Sequence, residues 1–196
     1  MKINNIKKAR LSKLTPLLDL GVLGNGVFVA GGSMRTLIVD EEVCDFDMFF
    51  ESGQLVDDVR DKLEVAGYEL VFECPEGKLF TYAFIKDDGS KIKVQLILET
   101  MGSPESVIDT FDFTACCAAY DGTTLFLNPR FVRDVKKKSL ELHTLTFPVA
   151  TLKRMIKYSN KGYNVNEAAR SIVDTIQTVL LGGGFFDDDD LRVYID

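Results

Sequence analysis

The sequence predicts an α+β protein: a small mixed β-sheet with flanking helices and a C-terminal helical extension. Three observations carry this reading. Strand-like apolar runs are concentrated in residues 1–128. Helical periodicity takes over in residues 129–196. Between two early strands lies a Gly-Gly turn, Phe28-Val29-Ala30-Gly31-Gly32-Ser33-Met34-Arg35, with Asp45-Phe46-Asp47 ten residues on. The expected division is a head of residues 1–128 and a helical extension of residues 129–196 with an acidic tail.

The elements follow in order. Thr15-Pro16 opens a short helix, and Gly24-Asn25-Gly26 ends it. Val27 to Ala30 is a strand. Ser33 to Val39 is a short helical segment, and Cys44 to Phe50 is the next strand. Ser52 to Ala66 is an amphipathic helix, with Leu55, Val56, Val59 and Leu63 at helical spacing and Gly67 just beyond its end. Three strands come next: Tyr68 to Glu73, Leu79 to Ile85 and Lys91 to Leu98, the last two joined at Asp87-Asp88-Gly89-Ser90. Ser103-Pro104 starts another helix. Phe113 to Ala119 is an apolar strand, turning at Asp121-Gly122 into Thr124 to Leu127. Asn128-Pro129 caps a segment ending in Lys136-Lys137-Lys138. Val149 to Tyr158 is helical, and Asn164-x-x-Glu167 reads as a capping box for a last helix. Ala168, Ile172, Val173, Ile176, Val179 and Leu180 line its apolar face, and Gly182-Gly183-Gly184 ends it. Phe185 and Phe186 are expected to dock on the body, and Asp187 to Asp190 to be solvated.

On a strand, residues i and i+2 share a face, so Asp45 and Asp47 project side by side. Adjacent carboxylates repel unless a cation sits between them. Mg²⁺ wants oxygen ligands of this kind and bridges to substrate phosphates. The Gly31-Gly32-Ser33 turn lets the backbone approach a ligand, and Arg35 adds a positive fork. A phosphate cradle and two carboxylates together point to metal-assisted phosphoryl or nucleotidyl transfer. The plainer reading is a tight turn beside two solvated aspartates.

The line GGSMRTLIVDEEVCDFDMFF resembles the nucleotidyltransferase superfamily of DNA polymerase beta type. Within it, the line is similar to the head domain of CCA-adding enzymes and poly(A) polymerases, and to small phage-encoded relatives. Gly31, Gly32, Asp45 and Asp47 match the family pattern. The resemblance implies a nucleotidyltransferase palm using Mg²⁺ or Mn²⁺. Such a palm moves NMP from an NTP, such as ATP, to a hydroxyl of an RNA, protein or small-molecule acceptor, releasing pyrophosphate. Asp45 and Asp47 would hold the metal, and Gly31, Gly32, Ser33 and Arg35 the β and γ phosphates. The family adds a third carboxylate from a neighbouring strand. Gln95 is one of two positions that compete for it, but an amide cannot act as a base. Asp112, in FDFTACCAAYDG, is the preferred third catalytic and metal-binding group; its alternative role is to cap a turn. PVATLKRMIKYSNKGY resembles the family stretch after the palm. There Arg154 and Lys157 would meet the triphosphate and Tyr158 would stack on a base. The alternative is a solvated cationic face.

Composition excludes other classes. The net charge of −7 argues against a protein that coats nucleic acid. No apolar stretch is long enough for a membrane span. Met1 to Lys13 is basic but lacks the apolar core of a signal peptide, so the cytoplasm is expected, the host's if the chain is phage-encoded. Cys44, Cys74, Cys116 and Cys117 have no zinc-ligand spacing, and His143 is the single histidine. The NTP is the expected partner, with RNA, tRNA or a protein as acceptor. The competing readings are a fold that has lost catalysis and serves as a binding protein, motivated by Gln95, and a toxin–antitoxin nucleotidyltransferase with another acceptor.

Overall fold

The computed structural model describes residues 1–4, 11–43 and 45–181. Cys44 and the expected docking of Phe185 and Phe186, the Gly182–Gly184 stop and the Asp187–Asp190 tail lie outside the described residues. In chain order the elements are β1 (Lys2–Asn4), α1 (Thr15–Asp19), β2 (Val27–Ala30), β3 (Asp45–Phe50), α2 (Val56–Val65), β4 (Glu69–Glu73), β5 (Leu79–Ile85), β6 (Lys91–Ile97), α3 (Pro104–Ile108), β7 (Ala118–Tyr120), β8 (Thr124–Leu127), α4 (Phe131–Lys137), α5 (Pro148–Asn160) and α6 (Asn166–Leu181). The strands form one eight-stranded sheet in the order β1-β8-β7-β2-β3-β6-β5-β4. The β3–β6 pair is parallel and the remaining pairs are antiparallel, so the sheet is mixed as expected. Among the described residues, no helix is long and apolar enough to cross a membrane.

Local chemistry explains most boundaries. The Ser52 hydroxyl accepts from the Gln54 amide at the start of the turn that leads into α2, and Gly67, at φ +84°, ends that helix. Ser103 caps α3 in the same way. Asn128 accepts from the Arg130 amide ahead of α4. Asn164 accepts from the Asn166 amide ahead of α6, while Glu167 pairs with Arg170 instead of reaching back.

Alternation along β2 and β3 splits the core. Val29, Met48 and Phe50 face one side, where α2 contributes Val56, Val59 and Leu63 and α4 contributes Phe131 and Val135. Phe28, Ala30 and Phe49 face the other, packed with Val107 and Ile108 of α3 and Phe126 of β8. Each fully buried large side chain contributes about 2 kcal/mol of burial free energy.

Three expectations need correction. The predicted strand over Phe113–Ala119 is broken: Thr114–Cys116 forms a tight helical turn and β7 starts at Ala118. The reason is tertiary. The buried Thr114 hydroxyl donates to Asp134 at 2.6 Å, which pulls that turn off the sheet. The segment predicted helical from Ser33 begins two residues earlier and is a 3-10 helix, Gly31–Leu37. β1 was not foreseen; it has three residues and gains its structure by pairing with β8.

Candidate functional site

The site grows from the junction of β2 and β3. Ala30 pairs with Asp47, so the chain leaves β2 directly beside that carboxylate. Gly31 follows at φ +82°, a conformation that disfavours any side chain. A Cβ added there would lie 3.4 Å from Asp47 Oδ2. The glycine therefore lets backbone and carboxylate approach closely. Alternation puts Asp45 on the same face as Asp47, and side by side with Phe28 and Phe49 that face is apolar further along.

The parallel strand β6 supplies the neighbours. Asp45 pairs with Lys93 and Asp47 with Gln95 in the register. Lys93 Nζ lies 3.9 Å from Asp45 Oδ1, and the Gln95 amide donates to the Thr81 hydroxyl at 3.5 Å. The donor set on this face is thus two carboxylates and an amide carbonyl, all hard oxygen ligands suited to Mg²⁺ or Mn²⁺.

Asp112 does not join them. Its carboxylate is buried and accepts from Arg154 Nε at 2.5 Å. Burial raises its pKa above the usual carboxylate value, against the lowering charge of Arg154. Among the described residues, no three His, Cys, Asp or Glu side chains form a group that could hold a metal. The physical reason is that Asp112 sits at the mouth of a tight helical turn, next to α5, where a guanidinium meets its charge. That pairing equally engages Arg154, which was expected on the triphosphate.

Arg35 also turns inward. It is buried at 4% exposure, lies 3.0 Å from Glu41, and stacks over the rings of Tyr158 and Tyr163. Its Nη1 donates to the Tyr158 hydroxyl, which contacts Cys116 Sγ at 2.9 Å. Burial disfavours the Arg35 charge, but Tyr158, Cys116 and Glu41 outweigh it and raise the pKa. Burial likewise lifts the Tyr158 phenol well above its ordinary value and the Cys116 thiol to about 11. The expectations that Arg35 grips phosphate and that Tyr158 stacks on a base give way to an internal tie between the 3-10 turn and α5. Gly32 rests on that tie: a Cβ there would meet Arg35 Nη1 at 3.3 Å and Tyr158 Oη at 3.5 Å. Ser33 is buried, its hydroxyl directed to the Ala30 carbonyl at 3.5 Å.

The cations that do face outward come from α5 and its end. Lys157 is exposed. Lys161 has a lowered pKa, because of desolvation and the like charges of Arg35 and Lys157, with Glu41 and Asp45 opposing. Glu41, which holds Arg35, was not foreseen from the sequence; nothing in its local pattern separates it from Glu42. His143 lies 3.7 Å from Asp109.

Comparison with known proteins places this geometry. Solved CCA-adding enzymes share the fold: "The complex structure of CCA-adding enzyme with ATP" superposes with a TM-score of 0.67 at 16% identity, over 93% of this chain and 48% of that one. "Thermotoga maritima CCA-adding enzyme complexed with tRNA_CCA" gives a TM-score of 0.56 at 18% identity, over 80% of this chain and 40% of that one. A curated relative, "Gabija anti-defense 2" of Bacillus phage SPbetaL7, is 30% identical over 147 residues, 73% of this chain and 35% of its own length. The chain therefore spans about a third of that relative and less than half of these structures. The profile of "Gad2: Gabija anti-defense 2 family protein" matches residues 4–138, which takes in nearly the whole sheet and both aspartates. On that match, the nucleotidyltransferase-like fold described above is the fold of a chain that belongs to the Gabija anti-defense 2 family.

Proposed function

We propose that this chain is a divalent-cation-dependent nucleotidyltransferase that moves NMP from an NTP to an acceptor hydroxyl and releases pyrophosphate, in the service of an anti-defence role. The observation that carries the reading is the close approach of the Gly31 backbone to Asp47 across the β2–β3 pair. Asp45 and Asp47 hold Mg²⁺ or Mn²⁺, and the backbone of Gly31 and Gly32 lies against the phosphates. Lys157 and Lys161 neutralise the charge that the triphosphate carries. The bound cation offsets phosphate charge and makes the attacking hydroxyl more acidic. Ser33 and Arg35 act from behind by fixing the turn. Gln95 orients the acceptor hydroxyl by hydrogen bonding and takes no proton; as the acceptor oxygen bonds to the α-phosphorus and the bond to pyrophosphate breaks, the hydroxyl proton passes to solvent water. The acceptor is an RNA, a protein or a small molecule, and the reaction belongs in the host cytoplasm.

A second reading has its own observations. Among the described residues, Gln95 beside Asp47, and Asp112 tied to Arg154, leave the face with two carboxylates and no third. A chain so equipped binds Mg²⁺–NTP and transfers nothing. Calorimetry with each NTP and Mg²⁺, together with labelling from α-³²P-NTP, separates the two. Binding with label transfer supports the enzyme, and binding without it supports the retired fold. No binding of any NTP overturns both.

A further inference from the structure

Among the described residues, β4 is the sheet edge opposite β1. β4 pairs with β5 on one side, and no strand covers its other side among the described residues. All five of its residues are exposed. Leu70 is 41% exposed, Val71 50% and Phe72 40%, and Ile85 at the end of β5 is 66% exposed. Edge strands are normally blunted by charged side chains, lysine above all, by proline, by a bulge or by a covering element. β4 carries neither lysine nor proline; a register shift between Leu70 and Phe72 leaves Val71 out of the pairing with β5. Its flanks are acidic instead. Glu69 and Glu73 bracket the three apolar residues, and exposed Glu76 follows. Arg60 lies near Glu73, but its guanidinium is already bonded to Tyr82.

We propose that β4 accepts an extended segment of another protein as a ninth strand, apolar at its centre with lysine or arginine near both ends. Charge selects this occupant. An antiparallel strand centred on Val71 places its outer residues opposite Glu69 and Glu73, and opposite charges directly across a pair stabilise it. A second copy of this chain in the same register sets Glu69 against Glu73 twice, and like charges there oppose pairing. The edge thus disfavours itself and favours a basic strand, by the main-chain mode of β-augmentation. β4 lies three strands from β3, about 14 Å across the sheet, so an added strand leaves the face of Asp45 and Asp47 open.

The test uses hydrogen exchange of the amides of residues 69–73 with two synthetic peptides. Both have the core Val-Thr-Val-Thr-Val; one is flanked by two lysines at each end and one by two glutamates. The lysine-flanked peptide slows exchange in 69–73 about fivefold or more, and the glutamate-flanked one does not. Val71→Lys keeps the parent's melting temperature and removes the slowing. A second arm needs no peptide. Glu69→Lys turns both like-charge contacts of the self-pair into Lys–Glu contacts, so this variant associates through β4 in sedimentation velocity, with slowed exchange in 69–73. The proposal is overturned if neither peptide slows exchange or if both do so equally. It is also overturned if Glu69→Lys sediments like the parent, or if the parent's own exchange in 69–73 slows with its concentration.

Discussion

Arg154→Ala tests whether the Asp112–Arg154 pair is an internal brace. The pair is close, at 2.5 Å, and its side chains are 9% and 27% exposed. Removing one partner of a buried pair costs about 3–5 kcal/mol, since the other charge is left without hydration or partner. About a quarter of the Arg154 side chain is exposed, so the low end applies, about 3 kcal/mol. At 2–4 °C per kcal/mol for a chain of this size, the melting temperature falls by about 6–12 °C. The loss depends on pH. Burial already raises the Asp112 pKa from 3.8, and deleting the opposing charge raises it further. A folded-state pKa above the unfolded value means the native state binds the proton more tightly. That contribution is full below the unfolded pKa and is lost as pH rises through the folded one. Arg154→Ala is therefore less impaired at pH 5 than at pH 8, and adding Asp112→Asn recovers much of the loss at pH 8. Thermal melts of the parent, the single variant and the double variant at both pH values make the comparison. Equal deficits at the two pH values, or a double variant no better than the single one, would refute the reasoning.

The other expectations concern the turn and the aspartates. Asp47→Asn removes Mg²⁺-dependent NTP binding in calorimetry while the melting temperature holds, and undiminished binding sinks the metal assignment. Gly31→Ala lowers stability by about 1–2 kcal/mol, from its positive φ, and weakens NTP binding, since its Cβ enters the space beside Asp47. An unchanged nucleotide affinity in that variant argues that the turn carries no ligand. Tyr158→Phe leaves Arg35 and Cys116 without their shared hydroxyl and costs about 2 kcal/mol, or about 4–8 °C. A melting temperature within 1 °C of the parent's, on that scale, contradicts the tie between the turn and α5.

Local chemistry was readable where it was sufficient. The β2 strand, the glycines at the ends of elements, the serine and asparagine caps and the alternation of β6 are short-range features, and all are visible in the chain. The facing of Asp45 and Asp47 follows from the period of a strand. The partners of charges are another matter. Asp112 and Arg154 are separated by 42 residues, and Arg35 and Tyr158 by 123. Asp112 looked like a metal ligand because a charge between aromatic residues needs a counter-ion, Arg35 looked like a phosphate grip because it follows the glycine turn, and Arg154 and Tyr158 came from the family resemblance. The counter-ion turned out to be in the chain itself, and only the packing of α5 against the Thr114–Cys116 turn reveals it. The same limit explains β1, whose three residues have no pattern of their own and borrow their order from β8.

The single parallel pair has a consequence for how the molecule is made. β4, β5 and β6 are joined by neighbouring hairpins, and β7 and β8 by another, so these close early and locally. The joins that bring the aspartates into place are long. Asp45 meets Lys93, and Ala30 meets Ala119 on the opposite flank. β2 and β3 are thus the seam between two separately formed meanders, and Asp45 and Asp47 lie on it. On a ribosome, that seam stays unsealed until residues near 120 have left the exit tunnel. The nascent chain therefore carries two acidic side chains and a glycine turn long before the strands that flank them are in place, and the tie from Arg35 to Tyr158 follows later still.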